Sequence, residues 1–456
     1  MQKRSLLCGL CPAESDSCIG NSQPEKDMAT LLAINEFVEA EAIAGPGSRP
    51  QAISEVDVRS EILEDLTLKI LNLYGSLSIL DIAEKTCLSY GVATELFNKL
   101  RTKQLCQVTG MTDNIPEIVI TSQGRTRAAE LLSLSHYTGA APVNLKSYAE
   151  MVRRQSVTNL QVHPDDVERA FAHLVIDNET LRKLGTALNS GSALFLYGPA
   201  GTGKTTIAET LSRVLAEDEV WIPYAVEVDG EIITVFDPSI HVRMQELEPE
   251  IRDERWVLCR RPSVLVGGEL TAEMVDLQFN PNSKYYVGPV QMKANNGVLI
   301  VDDFGRQRLR PDELLNRWIV PLDRRIDFLT LAGGKKIEIP FEMLIVFASN
   351  MNPAELVDPA FLRRIQTKIK IGAVTEEQFC EIFRRVATER QIQFDARIPY
   401  DLIDYIHQSL NQELRSCYPR DIVNQVCWAA RYEDKTPYLD FASLEQAVQA
   451  YFLTEA

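Results

Sequence analysis

A glycine-rich stretch at residues 193–206 has the residue types and the spacing with the most definite chemistry. Its pattern is G-x-x-x-x-G-K-[ST], which runs from Gly198 to Thr205 after a short apolar run. Apolar residues then recur at helical spacing. Such a loop turns its backbone N–H groups towards a phosphate, and the helix that follows adds the positive end of its dipole. The stretch therefore predicts a phosphate-binding loop (P-loop) that consists of Gly198, Pro199, Ala200, Gly201, Thr202, Gly203, Lys204, Thr205 and Thr206.

Two of these side chains suit a nucleoside triphosphate that is bound together with Mg²⁺. The Lys204 ammonium can reach the β- and γ-phosphates, and the Thr205 hydroxyl can bind the metal ion. We therefore expect ATP and Mg²⁺ as the ligands of this loop.

A second pattern, Gly-Val-Leu-Ile-Val-Asp-Asp, occupies residues 297–303. Four apolar residues that end in an acid predict a buried parallel strand whose carboxyl end meets the phosphates. Asp302 is expected to hold the Mg²⁺ shell. Asp303 stands where a water-activating glutamate is usual and is shorter by about 1.5 Å. Hydrolysis should therefore be slow, or should depend on assembly, unless a small shift lets the Asp303 carboxylate reach the attacking water.

Two further polar groups follow later in the chain. Residues 343–350 form another apolar strand that ends at Asn350, which is expected to orient the attacking water or to contact the γ-phosphate. Arg363 and Arg364 follow at the end of a short helix. They suit either surface ion pairs or contact with the phosphate of a neighbouring subunit, and the sequence does not separate the two arginines.

The composition and charge narrow the class of protein. The chain has 456 residues, of which 45% are apolar and 24% charged, and a formal charge of −17. An acidic surface repels DNA, although the net charge does not exclude a local basic face. No apolar run reaches the roughly 18 residues of a membrane span. Six cysteines scattered singly fit a reducing compartment. We expect a cytoplasmic protein without a membrane span.

The first 50 residues are expected to form a flexible arm. They contain Cys8, Cys11 and Cys18, which include a C-x-x-C pair without a fourth ligand nearby. A zinc site usually needs four ligands, so we expect free thiols.

Residues 56–135 predict three helices, two strands and a last helix. Ser78 is expected to cap the second helix, the third helix to run from Ser89 to Gln104, the strands to cover residues 105–109 and 117–121, and the last helix to cover residues 126–134. This order resembles a winged helix-turn-helix domain, with the wing ending in a turn at Gly124.

Two functions are open for this domain: protein contact or the organisation of an oligomer, which we favour, and DNA binding. Residues 57–130 hold ten acidic and eight basic side chains, a net charge of −2, which supports DNA binding only weakly. The basic residues that could line one face are Lys99, Arg101, Lys103, Arg125 and Arg127.

The P-loop, Val-Asp-Asp, Ala-Ser-Asn and Phe-Leu-Arg-Arg motifs, in this order and spacing, resemble an AAA+ ATPase module over about residues 158–456. The resemblance implies ATP hydrolysis in a ring, commonly a hexamer, in which Arg363 or Arg364 reaches the nucleotide of the next subunit. It also implies a sensor arginine in a C-terminal helical lid. The phrase Tyr-Pro-Arg-Asp makes Arg420 the candidate, and an ion pair with Asp421 is the alternative.

Two segments narrow the resemblance further. Residues 326–340 predict a β-hairpin ahead of the Asn350 strand, and residues 261–290 an insertion. Both resemble the MoxR-like branch, which carries a hairpin before this sensor strand. The phrase Val-Asp-Asp-Phe-Gly-Arg-Gln at residues 301–307, together with the winged-helix resemblance, is similar to bacterial ATPases with chaperone activity that are associated with Flp pilus assembly. Within this phrase, Arg306 suits a salt bridge or, alternatively, a relay to a neighbouring subunit.

The expected fold is an α/β P-loop NTPase, a parallel sheet with helices on both faces, preceded by the winged helix and followed by the lid. The expected domains are the arm at 1–50, the winged helix at 56–135, a linker at 136–160, the nucleotide-binding domain at 161–372 and the lid at 373–456. The lid helices are expected at 375–390, 400–412, 419–433 and 443–454, with capping boxes that start at Thr375 and Ser443.

The expected function is an ATPase whose ring remodels or assembles a protein partner. Two alternatives stay open. One is a nucleotide-gated regulator that binds DNA, and the other is a scaffold that binds ATP and hydrolyses little of it.

Overall fold

The computed structural model describes residues 45–112, 115–216, 218–244 and 252–452. The expected arm, with its three cysteines, lies almost wholly outside the described residues. Its described end lies against the rest of the chain. There the Arg49 side chain donates to the Leu88 carbonyl at 2.6 Å and pairs with Glu254 at 2.9 Å.

The N-terminal helical unit, residues 60–134, has the predicted order of elements. Ser78 caps the second helix, as predicted, by accepting from the Asp81 N–H, and Ser89 caps the third helix by accepting from the Val92 N–H. The last helix starts earlier than predicted, because the Thr121 hydroxyl accepts from the Gly124 N–H at 3.0 Å. The glycine is therefore part of the first helical turn. The helices are Ser60–Tyr74, Ile79–Thr86, Tyr90–Thr102 and Ser122–Leu134, after a 3₁₀ turn at Ile53–Glu55, and the strands are Ser76–Leu77, Cys106–Thr112 and Ile115–Ile120.

Five parallel strands form the central sheet, which agrees with the predicted fold class. Tyr197 lies beside both Ser349 and Lys370, and Val301 lies beside Val266. The carboxyl ends of the strands therefore meet at one edge, where ligands of such sheets bind. In spatial order the strands are Ser263–Val266, Val298–Val301, Leu344–Ser349, Leu194–Tyr197 and Thr367–Lys370. Because Ser263–Val266 belongs to this sheet, residues 261–290 are not the single insertion that the sequence suggested.

Helices cover both faces of the parallel sheet. Successive side chains of a strand point to opposite faces. Phe195 packs into one core with Trp318, and Leu196 packs into the other with Leu211. The helices of this region are Leu145–Arg154, Pro164–Phe171, Asn178–Ser190, Lys204–Leu215, Val290–Lys293, Pro311–Arg324, Pro353–Leu356 and Pro359–Leu362, with 3₁₀ turns at Val157–Asn159 and Glu273–Val275.

A second sheet, which we call the mixed sheet, combines parallel and antiparallel pairs. In spatial order its strands are Gln278–Asn280, Tyr285–Val287, Glu231–Thr234, Ala225–Val228 and Val143–Asn144. The last strand and the helix Leu145–Arg154 lie in the segment that we expected to be a linker. That segment is instead packed into the structure, because Tyr148 and Val152 of this helix are buried in the core of the mixed sheet.

The predicted hairpin is present and packs against the mixed sheet. Its strands are Ile326–Thr330 and Lys336–Pro340. Leu329 and Ile337 share a core with Ile233 of the mixed sheet. The same core includes the antiparallel pair Glu219–Pro223 and Trp256–Arg260.

A largely buried ion-pair triad joins the segment just before the N-terminal helical unit to the mixed-sheet region, by which we mean the mixed sheet together with the hairpin and the antiparallel pair that share its core. The Arg255 side chain, 4% exposed, pairs with Asp57 at 2.6 Å and with Asp253 at 2.7 Å, and also donates to the Pro142 carbonyl. Burial alone would raise the pKa of Asp57. The charge of Arg255 and the hydrogen bonds to the carboxylate outweigh it and hold the pKa below its ordinary value.

The C-terminal helical region follows the predicted pattern of four helices. Thr375 caps the first helix, as predicted. The cap of the last helix is Asp440 and not Ser443, because Ser443 is the third helical residue, and its hydroxyl accepts from the Asp440 N–H. The helices are Glu376–Glu389, Ile398–Asp404 continuing into a π-helical turn at Tyr405–Ser409, Cys417–Tyr432 and Phe441–Tyr451, and the strands are Gln393–Phe394 and Tyr438–Leu439. Within the described ranges, no helix has both the length and the apolar character to cross a bilayer.

Candidate functional site

A cleft of about 600 Å³ lies at the carboxyl edge of the parallel sheet. The P-loop from Ala200 onwards forms its floor, and residues 173–177 form one wall. Helix Glu376–Glu389 and the start of helix Cys417–Tyr432 contribute the wall on the side of the C-terminal helical region. Asp302, Asp303, Asn350 and Arg420 all line this cleft, so the fold brings the adjacent Asp302 and Asp303 together with two residues that lie far from them in the sequence.

Lys204 is the buried cation of the cleft. Its ammonium donates to the carbonyls of Gly198 and Pro199 at 3.0 and 2.8 Å. Burial lowers its pKa, and the nearby charges of Asp302 and Asp303 oppose that shift. A phosphate anion would relieve the same cost of burial, because an opposite charge favours the ammonium form.

Two glycines of the P-loop are required by close contacts. A Cβ at Gly198 would lie 2.0 Å from the Ile371 carbonyl oxygen. Gly201 has φ +78, and a Cβ there would lie 2.5 Å from the Cys417 sulfur. The loop therefore packs against both its neighbouring strand and the C-terminal helical region.

The two predicted magnesium ligands lie side by side. The Thr205 hydroxyl donates to the Asp302 carboxylate at 2.8 Å, and the Asp302 N–H is held by the Val266 carbonyl. A hydroxyl and a carboxylate at the phosphate edge fit Mg²⁺, which keeps several waters and takes few protein ligands in phosphate sites. The described ranges contain no group of three or more histidine, cysteine, aspartate or glutamate side chains that would hold a metal ion by themselves.

Asp303 and Asn350 form the polar pair beyond the P-loop. The Asn350 amide donates to the Asp303 carboxylate at 3.0 Å. Asp303 has φ +48, in the left-handed region, which aspartate tolerates better than longer side chains. This backbone conformation gives a physical reason for an aspartate at position 303.

The C-terminal helical region contacts the P-loop directly. The Gly201 carbonyl accepts from the Cys417 N–H at 3.1 Å and from the Ser416 hydroxyl at 3.2 Å. Arg420 lines the cleft, and its side chain, 61% exposed, also bonds Asp421 at 3.2 Å. Both sequence interpretations of Arg420, a cleft residue and a partner of Asp421, therefore agree with its geometry.

Arg385 is a second link between this region and the cleft, and the sequence reasoning missed it. Its guanidinium donates to the carbonyls of Ala172 and Leu174 at 2.8 and 3.2 Å. Hydrogen bonds from Arg384 and Arg385 lower the pKa of Glu381 to about 2. From sequence, Glu381 and Arg385 look like an ordinary i, i+4 surface pair, so no signal marked the contact with the loop.

The two candidate finger arginines differ in their surroundings. Arg364 bonds Asp323 at 2.8 Å and its side chain is 21% exposed. Arg363 is exposed, and the contacts described for its side chain include no ion pair. Neither lines the cleft of its own subunit.

Three basic residues of the N-terminal helical unit are neutralised by acidic neighbours. Glu64, almost buried, pairs with both Lys99 and Lys103. Arg127 pairs with Asp65 at 3.9 Å and with Glu130 at 3.1 Å. The segment before the unit also covers helix Tyr90–Thr102, since the Ile53 N–H donates to Glu95.

The comparison with protein-family models matches only part of the chain. A family model described as a domain of unknown function (DUF8689) matches residues 375–450, within the C-terminal helical region. No curated protein matches the chain.

Some solved structures show a weak likeness. The RuvB Holliday junction branch migration motor of Thermotoga maritima is 13% identical, with a TM-score of 0.36, over 60% of this chain and 70% of that chain. Domain III of the replication initiation protein DnaA, from the same organism, is 12% identical, with a TM-score of 0.36, over 63% and 98%. A likeness at this level establishes neither the family nor the activity of this chain.

Proposed function

We propose that this chain is an AAA+ ATPase that hydrolyses ATP with Mg²⁺ in an oligomeric ring and uses the reaction to remodel or assemble a protein partner in the cytoplasm. One observation carries the proposal. Lys204, the Thr205–Asp302 pair and the Asp303–Asn350 pair line a single cleft at the carboxyl edge of a parallel sheet.

Each residue has a distinct task in the proposed reaction. Lys204 exchanges its two P-loop carbonyls for phosphate oxygens and neutralises their charge. Thr205 and Asp302 hold Mg²⁺, which would stabilise the negative charge on the phosphate oxygens. Asp303 takes the proton of the attacking water, and Asn350 orients that water or contacts the γ-phosphate.

The ring proposal rests on the arginines. An arginine that stabilises the transferred phosphoryl group must approach it from a side that its own subunit leaves open. Arg363 is exposed and outside the cleft of its own subunit, whereas Arg364 is held by Asp323. We therefore assign Arg363 as the finger that reaches the next subunit, and Arg420 as the sensor within the subunit. A hexamer is the expected ring.

Work on a partner requires a path from the cleft to the surface. Helix Pro311–Arg324 follows the acidic turn and leads into the hairpin, where Arg317 pairs with the buried Asp327. The hairpin is tied to the mixed sheet by a hydrogen bond from the Ala332 N–H to the Tyr286 hydroxyl at 2.8 Å. We propose that changes at the acidic turn reach the N-terminal helical unit, a winged-helix module for protein contact, along this path.

Two structural elements and one sequence phrase support a narrower assignment within the AAA+ ATPases. The hairpin ahead of strand Leu344–Ser349 supports the MoxR-like branch. The association with Flp pilus assembly rests on the resemblance of residues 301–307 and of the winged-helix order. Gene neighbourhood tests it independently of the enzyme assay.

Steady-state phosphate release tests the enzyme proposal. The purified chain, alone and at ring-forming concentration, should release phosphate at least about 100-fold faster than Lys204→Ala, because the substitution removes the buried phosphate cation. Lys183→Ala is the matched control, since Lys183 is an exposed helix residue paired with Glu179. Equal rates for the wild type and Lys204→Ala would reject ATP hydrolysis as the function.

A further inference from the structure

The turn after the acidic strand holds Asp303 in an unusual backbone conformation. Asp303 has φ +48, and Gly305 has φ +107. The Arg306 N–H donates to the Asp303 carbonyl at 2.9 Å and closes the turn. A non-glycine residue in the left-handed region persists only where its surroundings hold it.

The side chain of Gln307 spans this turn. Its amide N–H donates to the Asp302 carbonyl at 2.7 Å, and its amide oxygen accepts from the Gly305 N–H at 2.8 Å. One side-chain amide therefore bridges two backbone groups that lie on either side of Asp303. The Asp302 carbonyl belongs to the peptide that leads into Asp303, so its direction fixes the φ angle of that residue.

The Asp303 N–H also donates to the Asp302 carboxylate at 2.9 Å, and the remaining supports of the turn act beyond Asp303. The Phe304 N–H donates to the Ala348 carbonyl at 2.7 Å, and the Ser349 hydroxyl donates to the Phe304 carbonyl at 2.6 Å. These bonds fix the turn to the neighbouring strand on the carboxyl side of Asp303. Gln307 supplies the corresponding support on its amino side.

We propose that Gln307 is a positioning residue that fixes the Asp302–Asp303 peptide and thereby aims the Asp303 carboxylate at Asn350 and at the attacking water. This inference rests on the proposed ATP hydrolysis. It gives the glutamine at the end of the Val-Asp-Asp-Phe-Gly-Arg-Gln phrase a task that the nucleotide motifs do not assign. Gln307 acts through the backbone and does not touch the nucleotide.

The substitution Gln307→Met tests the proposal, because methionine keeps the length of glutamine and removes both the donor and the acceptor. We expect kcat to fall about tenfold or more, since small misplacements of a catalytic group are costly, while KM and ATP affinity stay within about twofold. Gln307→Glu keeps the acceptor for Gly305 but cannot donate to Asp302, so it should not restore the rate. Arg308→Met, at an exposed side chain of the same loop, is the control and should leave the rate unchanged.

A second background separates positioning from a general loss of structure. In Asp303→Ala, the carboxylate that Gln307 positions is absent. Adding Gln307→Met to that variant should lower the residual rate no further, because residues that act as one unit are not additive. A further tenfold loss in this background would overturn the proposal.

Hydrogen exchange distinguishes a failure of this proposal from a failure of the proposed function. Gln307→Met should speed exchange of the Gly305 amide by about tenfold whether or not the wild type hydrolyses ATP, because the amide loses its acceptor. A wild type without phosphate release would overturn the proposed function. Unchanged exchange at Gly305, or an unchanged rate in an active enzyme, would overturn the positioning role of Gln307.

Discussion

The parallel sheet and the mixed sheet are fixed by different kinds of contact. At the edge of the parallel sheet, polar groups such as Thr205 and Asp302 bond to each other on the lining of an accessible cleft. In the mixed-sheet region, the Arg255 triad is largely buried and joins separate parts of the chain. The first arrangement suits chemistry on a ligand, and the second suits mechanical attachment.

This difference predicts which substitutions should affect hydrolysis and which should affect stability. Changes at the edge of the parallel sheet should alter hydrolysis and leave stability nearly intact, since accessible groups can be solvated when a partner is lost. Changes in the mixed-sheet region should do the opposite, because a buried group that loses its partner remains desolvated.

The largest effect is expected from Arg363→Ala, which removes the proposed finger. Hydrolysis at ring-forming concentration should fall by about 10³-fold or more, while ATP binding and thermal stability are retained. Arg364→Ala should instead match Asp323→Ala, since both remove the same ion pair. Steady-state phosphate release and thermal melting measure the two outcomes.

Mixing two inactive variants sharpens this test. Lys204→Ala lacks the phosphate cation, and Arg363→Ala lacks the finger. If the site is shared between subunits, mixed rings contain some complete sites and recover part of the activity. A mixture as inactive as its components, at a concentration where rings form, would contradict a finger that acts from the neighbouring subunit.

The next effect concerns the mixed-sheet region. Arg255→Met should destabilise the attachment of the N-terminal helical unit by about 3–5 kcal/mol, because the buried Asp253 and the partly buried Asp57 then lose their cation. Faster amide exchange and proteolysis between this unit and the mixed sheet would report it. Lys146→Met removes an exposed pair with Glu150 and should change stability by less than about 0.5 kcal/mol. If Arg255→Met lost ATP binding while the attachment stayed intact, the proposed difference in role between the parallel sheet and the mixed-sheet region would be wrong.

The triad also predicts a dependence on pH. The folded pKa of Asp57 is lowered, so the stabilisation by its carboxylate is present above the ordinary value near 3.8 and is lost as pH falls through the folded pKa. The attachment should therefore weaken in acid below about pH 4, and Arg255→Met should show less of this acid loss. Exchange measured from pH 6 to pH 3 separates the two proteins.

The two sheets also differ in what their sequences could predict. Each nucleotide motif is contiguous, and parallel strands bring the ends of separate motifs together, so Lys204, Asp302 and Asn350 could be assigned to one edge before the fold was known. The Arg255–Asp57 pair spans 198 residues, and neither side chain lies in a motif. Nothing in the local sequence distinguishes such a pair from two surface charges. The same holds for the segment of residues 136–160, which looked like a linker because its contacts, such as the bond from Arg255 to the Pro142 carbonyl, come from distant parts of the chain.

The choice between Arg363 and Arg364 shows the same limit within the site. Their positions in sequence are equivalent for an arginine finger. Asp323 distinguishes them, and it lies 41 residues from Arg364. The Gln307 bridge was hidden for another reason, because a glutamine two residues after a glycine gives no local sign that it bonds the backbone of its own turn.

A smaller effect is expected at Asp303. Asp303→Glu should raise kcat about tenfold, because the added methylene extends the carboxylate by about 1.5 Å towards the attacking water. Thermal stability should fall slightly, since glutamate tolerates the left-handed region less well than aspartate. Single-turnover hydrolysis with saturating ATP isolates the chemical step. An unchanged or lower rate would mean that the reach of Asp303 does not limit the native enzyme.

The smallest effect is expected from the basic face of the N-terminal helical unit. Lys99 and Lys103 both pair with Glu64, so part of their charge is already compensated within the unit. Binding of the full chain to duplex DNA should therefore be weak, and replacing both lysines by alanine should change it by less than about twofold. A true phosphate contact would instead reduce the slope of log K against log salt by about 1 for each lysine. A titration at several salt concentrations separates these outcomes. A slope that falls by about 2 in the double variant would show that the unit binds DNA, and would contradict a role in protein contact.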